Sequence, residues 1–184
     1  ESNLTLIRKK YLDFLADLDT SANIITDKTP ANFQNIGFIF SIFPDAKIIH
    51  LNRDPRAICW SIYKSNWSET GYGFSYNVDD LVKFYSLYSN LMNFWHKKFP
   101  GKIYDICYED LTTNQEEETR KLLEYCGLAW DENCLNFHKN KRAVKTASSL
   151  QVRDKMYQGS SEAWKKYEAH IQSLIDGLKP FLKK

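Results

Sequence analysis

The chain has 184 residues, of which 43% are hydrophobic and 15% aromatic, and this size and composition are sufficient for one hydrophobic core. Its formal net charge of +2 is too small to indicate nucleic-acid binding through bulk electrostatics. No apolar run in the sequence approaches the length of a membrane span. The cysteines lack the spacing of a metal or disulfide framework and are predicted to be core thiols: Cys59, Cys107, Cys126 and Cys134.

Hydrophobic spacing predicts helices that alternate with short strands. The predicted helices cover about residues 3–18, 31–43, 55–64, 78–98, 116–126 and 161–182, with a short helical piece near 131–138. The predicted strands cover about residues 22–25, 47–52 and 103–107. This alternation predicts an α/β fold in which a central parallel sheet, with right-handed crossovers, forms the middle layer of a three-layer sandwich. We expect residues 1–184 to form a single domain.

Residues 47–61 place an arginine between a predicted strand and a predicted helix. Pro55 suits the first turn of that helix, and Arg53 therefore lies at the carboxyl end of the strand. Free backbone N–H groups and the helix dipole favour an anion at such a position, and a planar guanidinium suits phosphate oxygens. Ser61, about two turns into the helix, would add a hydroxyl. The alternative is a surface turn in which an arginine pairs with Asp54.

The strand, the Arg-Asp-Pro-Arg run, the helix and its serine together resemble the segment that holds the 3′-phosphate of 3′-phosphoadenosine 5′-phosphosulfate (PAPS) in sulfotransferases. Residues 22–30 resemble the earlier strand of that family, whose end carries a lysine near the transferring sulfuryl group. Residues 144–167 resemble the late loop that folds over the nucleotide. The likeness is to tyrosylprotein sulfotransferases and to bacterial sulfotransferases with tetratricopeptide repeats. It implies a fold similar to that of P-loop nucleotide hydrolases.

The resemblance gives roles to residues in all three segments. Lys28 and Ser148 would stabilise charge on the departing phosphate, which makes them the candidate catalytic residues. Arg53 and Ser61 would bind the 3′-phosphate, and Tyr108 would contact the adenine side of the nucleotide. Without the resemblance, Lys28 also fits a solvated lysine and Tyr108 a half-buried core residue. The late loop supplies the other candidate nucleotide-binding residues: Ser148, Ser149, Gln151, Val152, Arg153, Tyr157, Gln158 and Gly159.

The resemblance also implies PAPS as co-substrate, a hydroxyl or amine acceptor, no metal and, from its bacterial members, a cytoplasmic location. The Gly-rich phosphosulfate loop of the family does not occur in this sequence, and no residue stands out as the general base. We therefore expect the C-terminal part of a sulfotransferase domain, inactive by itself. A P-loop kinase-like enzyme and a non-catalytic nucleotide-binding domain remain alternatives. The histidines are too scattered to indicate a metal site and are expected to be structural: His50, His96, His138 and His170.

Overall fold

The computed structural model describes residues 3–17, 22–67, 71–140 and 153–182. Its α-helices are α1 (Asn3–Ala16), α2 (Ile36–Ile42), α3 (Pro55–Tyr63), α4 (Val78–Lys98), α5 (Tyr108–Thr113), α6 (Gln115–Cys126) and α7 (Gln172–Leu178). Its strands are β1 (Ile48–Asn52) and β2 (Ile103–Cys107). Helices of the 3₁₀ type cover Pro30–Asn35, Gly73–Tyr76, Glu132–Cys134, Phe137–Lys139, Ser160–His170 and Lys179–Phe181. Within the described ranges, no helix is both long and apolar enough to cross a membrane.

The two strands form a parallel pair in which Ile48 lies opposite Ile103 and Asn52 opposite Cys107. The connection between them contains α3 and α4, as expected because parallel strands cannot be joined by a tight turn. The two later predicted strands and the parallel α/β arrangement are therefore confirmed. The described chain is mostly helical, and two strands do not establish the predicted three-layer sandwich.

The predicted strand at residues 22–25 is wrong. The backbone of residues 22–29 is irregular, and the side chains of Ile24 and Ile25 are 57% and 43% exposed. Strand N–H and C=O groups need a neighbouring strand as a hydrogen-bonding partner. The described part of the chain pairs no strand with this segment. The preference of the isoleucines for extended structure is not sufficient by itself to make a strand.

The helix predictions are correct in position but not always in type. The predicted helix over residues 161–182 is divided into the 3₁₀ helix Ser160–His170 and α7, with Ile171 between them at a φ of −123°. Helix α5 directly after β2 was not predicted, because its polar residues show no hydrophobic period. The predicted end of α6 at residue 126 is confirmed, since Gly127 follows with a φ of +70° and caps the helix in the left-handed conformation.

Two hydrophobic clusters hold these elements together. The first contains residues of α3, α4, the late 3₁₀ helix and α7, namely Ala57, Cys59, Leu81, Trp164, Ile171, Leu174, Ile175 and Leu178. The second joins α2, α4 and β2 through Ile36, Phe40, Met92 and Ile103. Burial of one large apolar side chain contributes about 1.5–3 kcal/mol. The first cluster therefore fixes the segment Ser160–His170 against α3, at the end of β1.

The cysteines are free thiols and differ in burial. Cys59 is completely buried in the first cluster, which confirms its prediction as a core thiol. Burial, together with the charge of Asp54, raises the pKa of the Cys59 thiol to about 12. The other cysteines are only half-buried, because they lie at element ends rather than in a cluster centre: Cys107, Cys126 and Cys134.

Candidate active site

Arg53 directly follows β1, at the carboxyl end of the strand. The Cζ atom of its guanidinium lies 4.6 Å from the centroid of the Tyr108 ring. Its Nε atom donates a hydrogen bond to the Oγ atom of Ser161 at 3.0 Å. Tyr108 directly follows β2 and opens α5. The parallel pairing therefore brings two of the candidate site residues together at one edge of the sheet.

Two serines of the late 3₁₀ helix complete these contacts. The Oγ atom of Ser160 lies 2.9 Å from the hydroxyl oxygen of Tyr108. Ser161 accepts from Arg53, and its hydroxyl lowers the pKa of the neighbouring Glu109 carboxylate. Hydrogen bonds from the neighbouring residues Ser160 and Ser161 thus join the 3₁₀ helix Ser160–His170 to the start of α5 and to the end of β1. The ring of Tyr108 and the guanidinium of Arg53 are each held from two sides.

Glu109 lies next to these contacts, directly after Tyr108. Its carboxylate accepts the backbone N–H of Asp54 at 3.1 Å and the Sγ–H of Cys107 at 3.2 Å. Burial raises the pKa of Glu109, but these hydrogen bonds lower it by more, so that the pKa lies below its usual value. Glu109 is therefore a carboxylate at neutral pH, and its lone pairs are occupied by donors of the protein.

Asp54 caps the start of α3. Its Oδ1 atom accepts from the backbone N–H groups of Arg56 at 2.8 Å and Ala57 at 3.4 Å, and Pro55 occupies the first turn as predicted. Free N–H groups were expected here, and that expectation is wrong for these two donors because the cap takes them. The alternative Arg–Asp54 pair is present but involves Arg56, at 2.6 Å, which leaves Arg53 outside it.

The cap gives a pH-dependent stability. Burial raises the pKa of Asp54, but the hydrogen bonds and charge of Arg56 lower it by more, so that the folded-state pKa lies below its usual value. The stabilisation is therefore present above the unfolded-state pKa of about 3.9 and is lost as pH falls through the folded-state pKa.

Asp54→Ala should reduce the free energy of unfolding by about 1 kcal/mol near neutral pH, with a smaller difference near pH ~3. Urea unfolding at both pH values measures this. A difference that stays constant over that interval would contradict the prediction.

An open groove lies beside Arg53 and has a volume of about 430 Å³. Three candidate nucleotide-binding residues line it, Tyr108, Gln158 and Gly159. The Nε2 atom of Gln158 donates to the carbonyl of Thr112 at 3.4 Å. Gly159 has a φ of +90°, which side-chain-bearing residues rarely adopt, and it turns the chain into the late 3₁₀ helix. The remaining lining residues are Glu109, Thr112, Thr113, Ser161 and Glu162.

The other candidate residues do not line this groove. Lys28 is exposed on the irregular segment 22–29, and the hydrogen bonds and ion pairs of the described residues do not include it. Ser61 is half-buried in α3, where its carbonyl accepts from the Ser65 hydroxyl at 2.7 Å. Arg153 and Tyr157 are exposed. Four candidates lie outside the described residues: Ser148, Ser149, Gln151 and Val152.

The sequence did not indicate a role for Ser160, Ser161 or Glu109. Arg53 and Ser161 are 108 positions apart, and no spacing rule connects residues at that distance. The position of Glu109 directly after Tyr108 was the only signal for it. A polar residue that follows the end of a parallel strand often faces a ligand-binding edge, and this rule would have included Glu109.

Comparison with known proteins identifies the family. A family model described as the sulfotransferase family matches residues 4–132, which is more than half of the chain. The chain belongs to the sulfotransferase family. The matched region of this sulfotransferase-family chain contains β1, Arg53, β2 and Tyr108, whereas the 3₁₀ helix Ser160–His170 lies beyond it. The resemblance seen in the sequence is thereby confirmed.

Relatives of this sulfotransferase-family chain are much longer than the region that they share with it. An uncharacterized protein of Aquifex aeolicus is 40% identical over 176 residues, which cover 95% of this chain and 23% of the relative. Protein-tyrosine sulfotransferase 1 of Danio rerio is 26% identical over 129 residues, or 68% of this chain and 35% of the relative. The omega-hydroxy-beta-dihydromenaquinone-9 sulfotransferase of Mycobacterium bovis is 31% identical over 108 residues, which cover 55% of this chain and 28% of the relative. The match thus spans 23–35% of the length of these relatives.

Proposed function

We propose that the protein transfers a sulfuryl group from PAPS to a hydroxyl or amine acceptor, and that residues 1–184 form one domain which contributes to the nucleotide site. The observation that carries this proposal is the position of Arg53 at the end of β1, with its guanidinium held by Tyr108 and Ser161. Among the described hydrogen bonds, Arg53 uses only its Nε atom. Its two terminal nitrogens remain to donate to a phosphate group, for which the planar fork of arginine is well suited.

The groove supports a nucleotide rather than a free anion. Tyr108 and Ser161 both contact Arg53 and both line the groove, so that a ligand with a phosphate at Arg53 would extend along it. We assign the 3′-phosphate of PAPS to Arg53 and the ribose and adenine to the groove beside Tyr108 and Gly159. The fixed ring of Tyr108 offers an apolar surface at small cost in conformational entropy.

Sulfuryl transfer requires in-line positioning and stabilisation of the charge that develops on the leaving phosphate. In the proposed reaction the acceptor oxygen or nitrogen attacks sulfur, the bond between sulfur and the bridging phosphate oxygen breaks, and 3′,5′-adenosine bisphosphate leaves with that electron pair. Lys28 and Ser148 would donate to the departing phosphate oxygens. The acceptor gives up its proton to a general base, which we do not assign to any residue of this chain.

Transfer of radioactive sulfate from labelled PAPS by the full-length protein tests the proposal. The acceptors are a tyrosine peptide, an alkyl alcohol and an alkyl amine, and we expect labelled product from at least one of them. Arg53→Ala serves as the control, and we expect it to transfer less sulfate than the parent protein because it lacks the proposed contact with the 3′-phosphate. Transfer of phosphate from ATP with magnesium, in the absence of sulfate transfer, would favour the kinase-like alternative. Binding of the bisphosphate without any transfer would favour a non-catalytic nucleotide-binding domain.

A further inference from the structure

Two histidines and one aspartate from three separate elements meet on one face of the strand pair. His50 on β1 lies directly opposite Asp105 on β2, and His96 belongs to the last turn of α4. The Nδ1 atom of His50 is 2.6 Å from Oδ1 of Asp105, and the Nε2 atom of His96 is 3.3 Å from Oδ2 of the same carboxylate. One ligand atom from each residue lies within 4.8 Å of the other two.

We propose that His50, His96 and Asp105 bind a transition-metal dication of the Zn²⁺ class. Two imidazoles and one carboxylate are a ligand set that suits zinc, and a water molecule can complete a tetrahedral site. The distance between His96 and Asp105 already fits two ligands of one ion, since bonds of about 2.0–2.1 Å at tetrahedral angles place ligand atoms roughly 3.3 Å apart. For the same geometry, the shorter contact between His50 and Asp105 must open by a fraction of an ångström, and the ligand nitrogens of His50 and His96 lie within 4.8 Å of each other.

The surroundings of His50 match those of a metal-bound imidazole. Its far ring nitrogen, Nε2, is hydrogen-bonded to the hydroxyl of Tyr88. With the metal at Nδ1, the neutral imidazole carries its proton on Nε2 and donates it to the Tyr88 oxygen. Such an outer partner fixes the tautomer and the ring orientation of a ligating histidine. Asn52 holds the carboxylate in the same way, since its Nδ2 atom donates to Oδ1 of Asp105 at 3.0 Å.

The site is open on one side. The side chains of His96 and Asp105 are 34% and 43% exposed, whereas that of His50 is 14% exposed. The ion therefore has an entry path from solvent and a position for bound water. This proposal is independent of the nucleotide site and departs from the expectation that the histidines are structural. A bound ion would join β1, β2 and α4, and would stabilise the folded protein by mass action.

Calorimetric titration of the chelator-treated full-length protein with Zn²⁺ tests the proposal. We expect His96→Gln and Asp105→Asn each to remove one equivalent of binding. Tyr88→Phe should weaken that equivalent by about 10- to 100-fold, as for other outer partners of metal ligands, and should leave the visible spectrum of the Co²⁺ form unchanged. His170→Gln is the matched control, because this exposed histidine lies outside the cluster.

Thermal unfolding distinguishes loss of the site from loss of the fold. His96→Gln should unfold at the same temperature as the parent protein when both are free of metal, and it should lack the rise in unfolding temperature that Zn²⁺ causes in the parent. Equal Zn²⁺ binding by the parent and His96→Gln would overturn the proposal, as would a parent protein that binds no Zn²⁺ at micromolar concentration.

Discussion

Arg53→Ala should weaken the binding of 3′,5′-adenosine bisphosphate by about 2–4 kcal/mol, or roughly 30- to 1,000-fold. Binding of adenosine 5′-monophosphate, which lacks the 3′-phosphate, should change far less. The loss is large because a charged, hydrogen-bonded phosphate would remain in the site without its counter-charge. Calorimetric titration of the full-length protein with both nucleotides measures the two effects.

A matched control and a conservative variant sharpen this test. Arg120 is an arginine of α6 whose Cζ atom also stacks on an aromatic ring, 3.8 Å from the centroid of Trp130, and Arg120→Ala should leave both affinities unchanged. Arg53→Lys keeps the charge but not the planar fork, and it should recover only part of the lost affinity. Equal losses for the bisphosphate and the monophosphate would assign a structural role to Arg53.

Lys28→Ala should lower the kcat of sulfate transfer by about a hundredfold, a loss of roughly 3 kcal/mol in transition-state stabilisation. KM should change little, because the charge that Lys28 would meet develops as the bond between sulfur and oxygen breaks. Lys28 is exposed, so its truncation should not affect folding. Steady-state kinetics of the full-length protein with labelled PAPS separate the two parameters.

Lys9→Ala provides the control for this experiment, because Lys9 is also an exposed lysine and lies on α1. Its kcat and KM should equal those of the parent protein. An unchanged kcat for Lys28→Ala would show that Lys28 is the ordinary solvated lysine that the sequence alone also allows. A higher KM at constant kcat would mean that Lys28 contributes to binding rather than to the chemical step.

The predictions that succeeded rest on local signals. The apolar run before Asn52, the proline at position 55 and the periodic residues that follow are each properties of neighbouring residues. Together they placed β1, α3 and Arg53 correctly. Similarly, Gly127 ends α6 because the left-handed conformation is a property of that single residue.

The strand that was wrongly predicted and the contacts that were not predicted depend on residues distant in the chain. Residues 22–25 have strand-forming side chains, yet strand formation requires a neighbour that no local pattern specifies. The Ser161 contact with Arg53 and the His50 contact with Asp105 join residues 108 and 55 positions apart. The Ser161 contact arises from the packing of the 3₁₀ helix Ser160–His170 against α3. The His50 contact arises from the parallel register of β1 and β2. Both causes are properties of the whole fold.

Ser161 separates two opposite charges. Its hydroxyl accepts from the guanidinium of Arg53 and lowers the pKa of the neighbouring Glu109 carboxylate, and the ion pairs of the described residues do not include a direct pair between Arg53 and Glu109. A direct pair would neutralise the arginine, and an incoming anion would first have to break it. With the hydroxyl between them, Arg53 keeps a fixed orientation without losing its positive field. The serine thus lowers the free-energy cost of anion binding at the end of β1, because no ion pair has to be broken and the Arg53 side chain is already oriented.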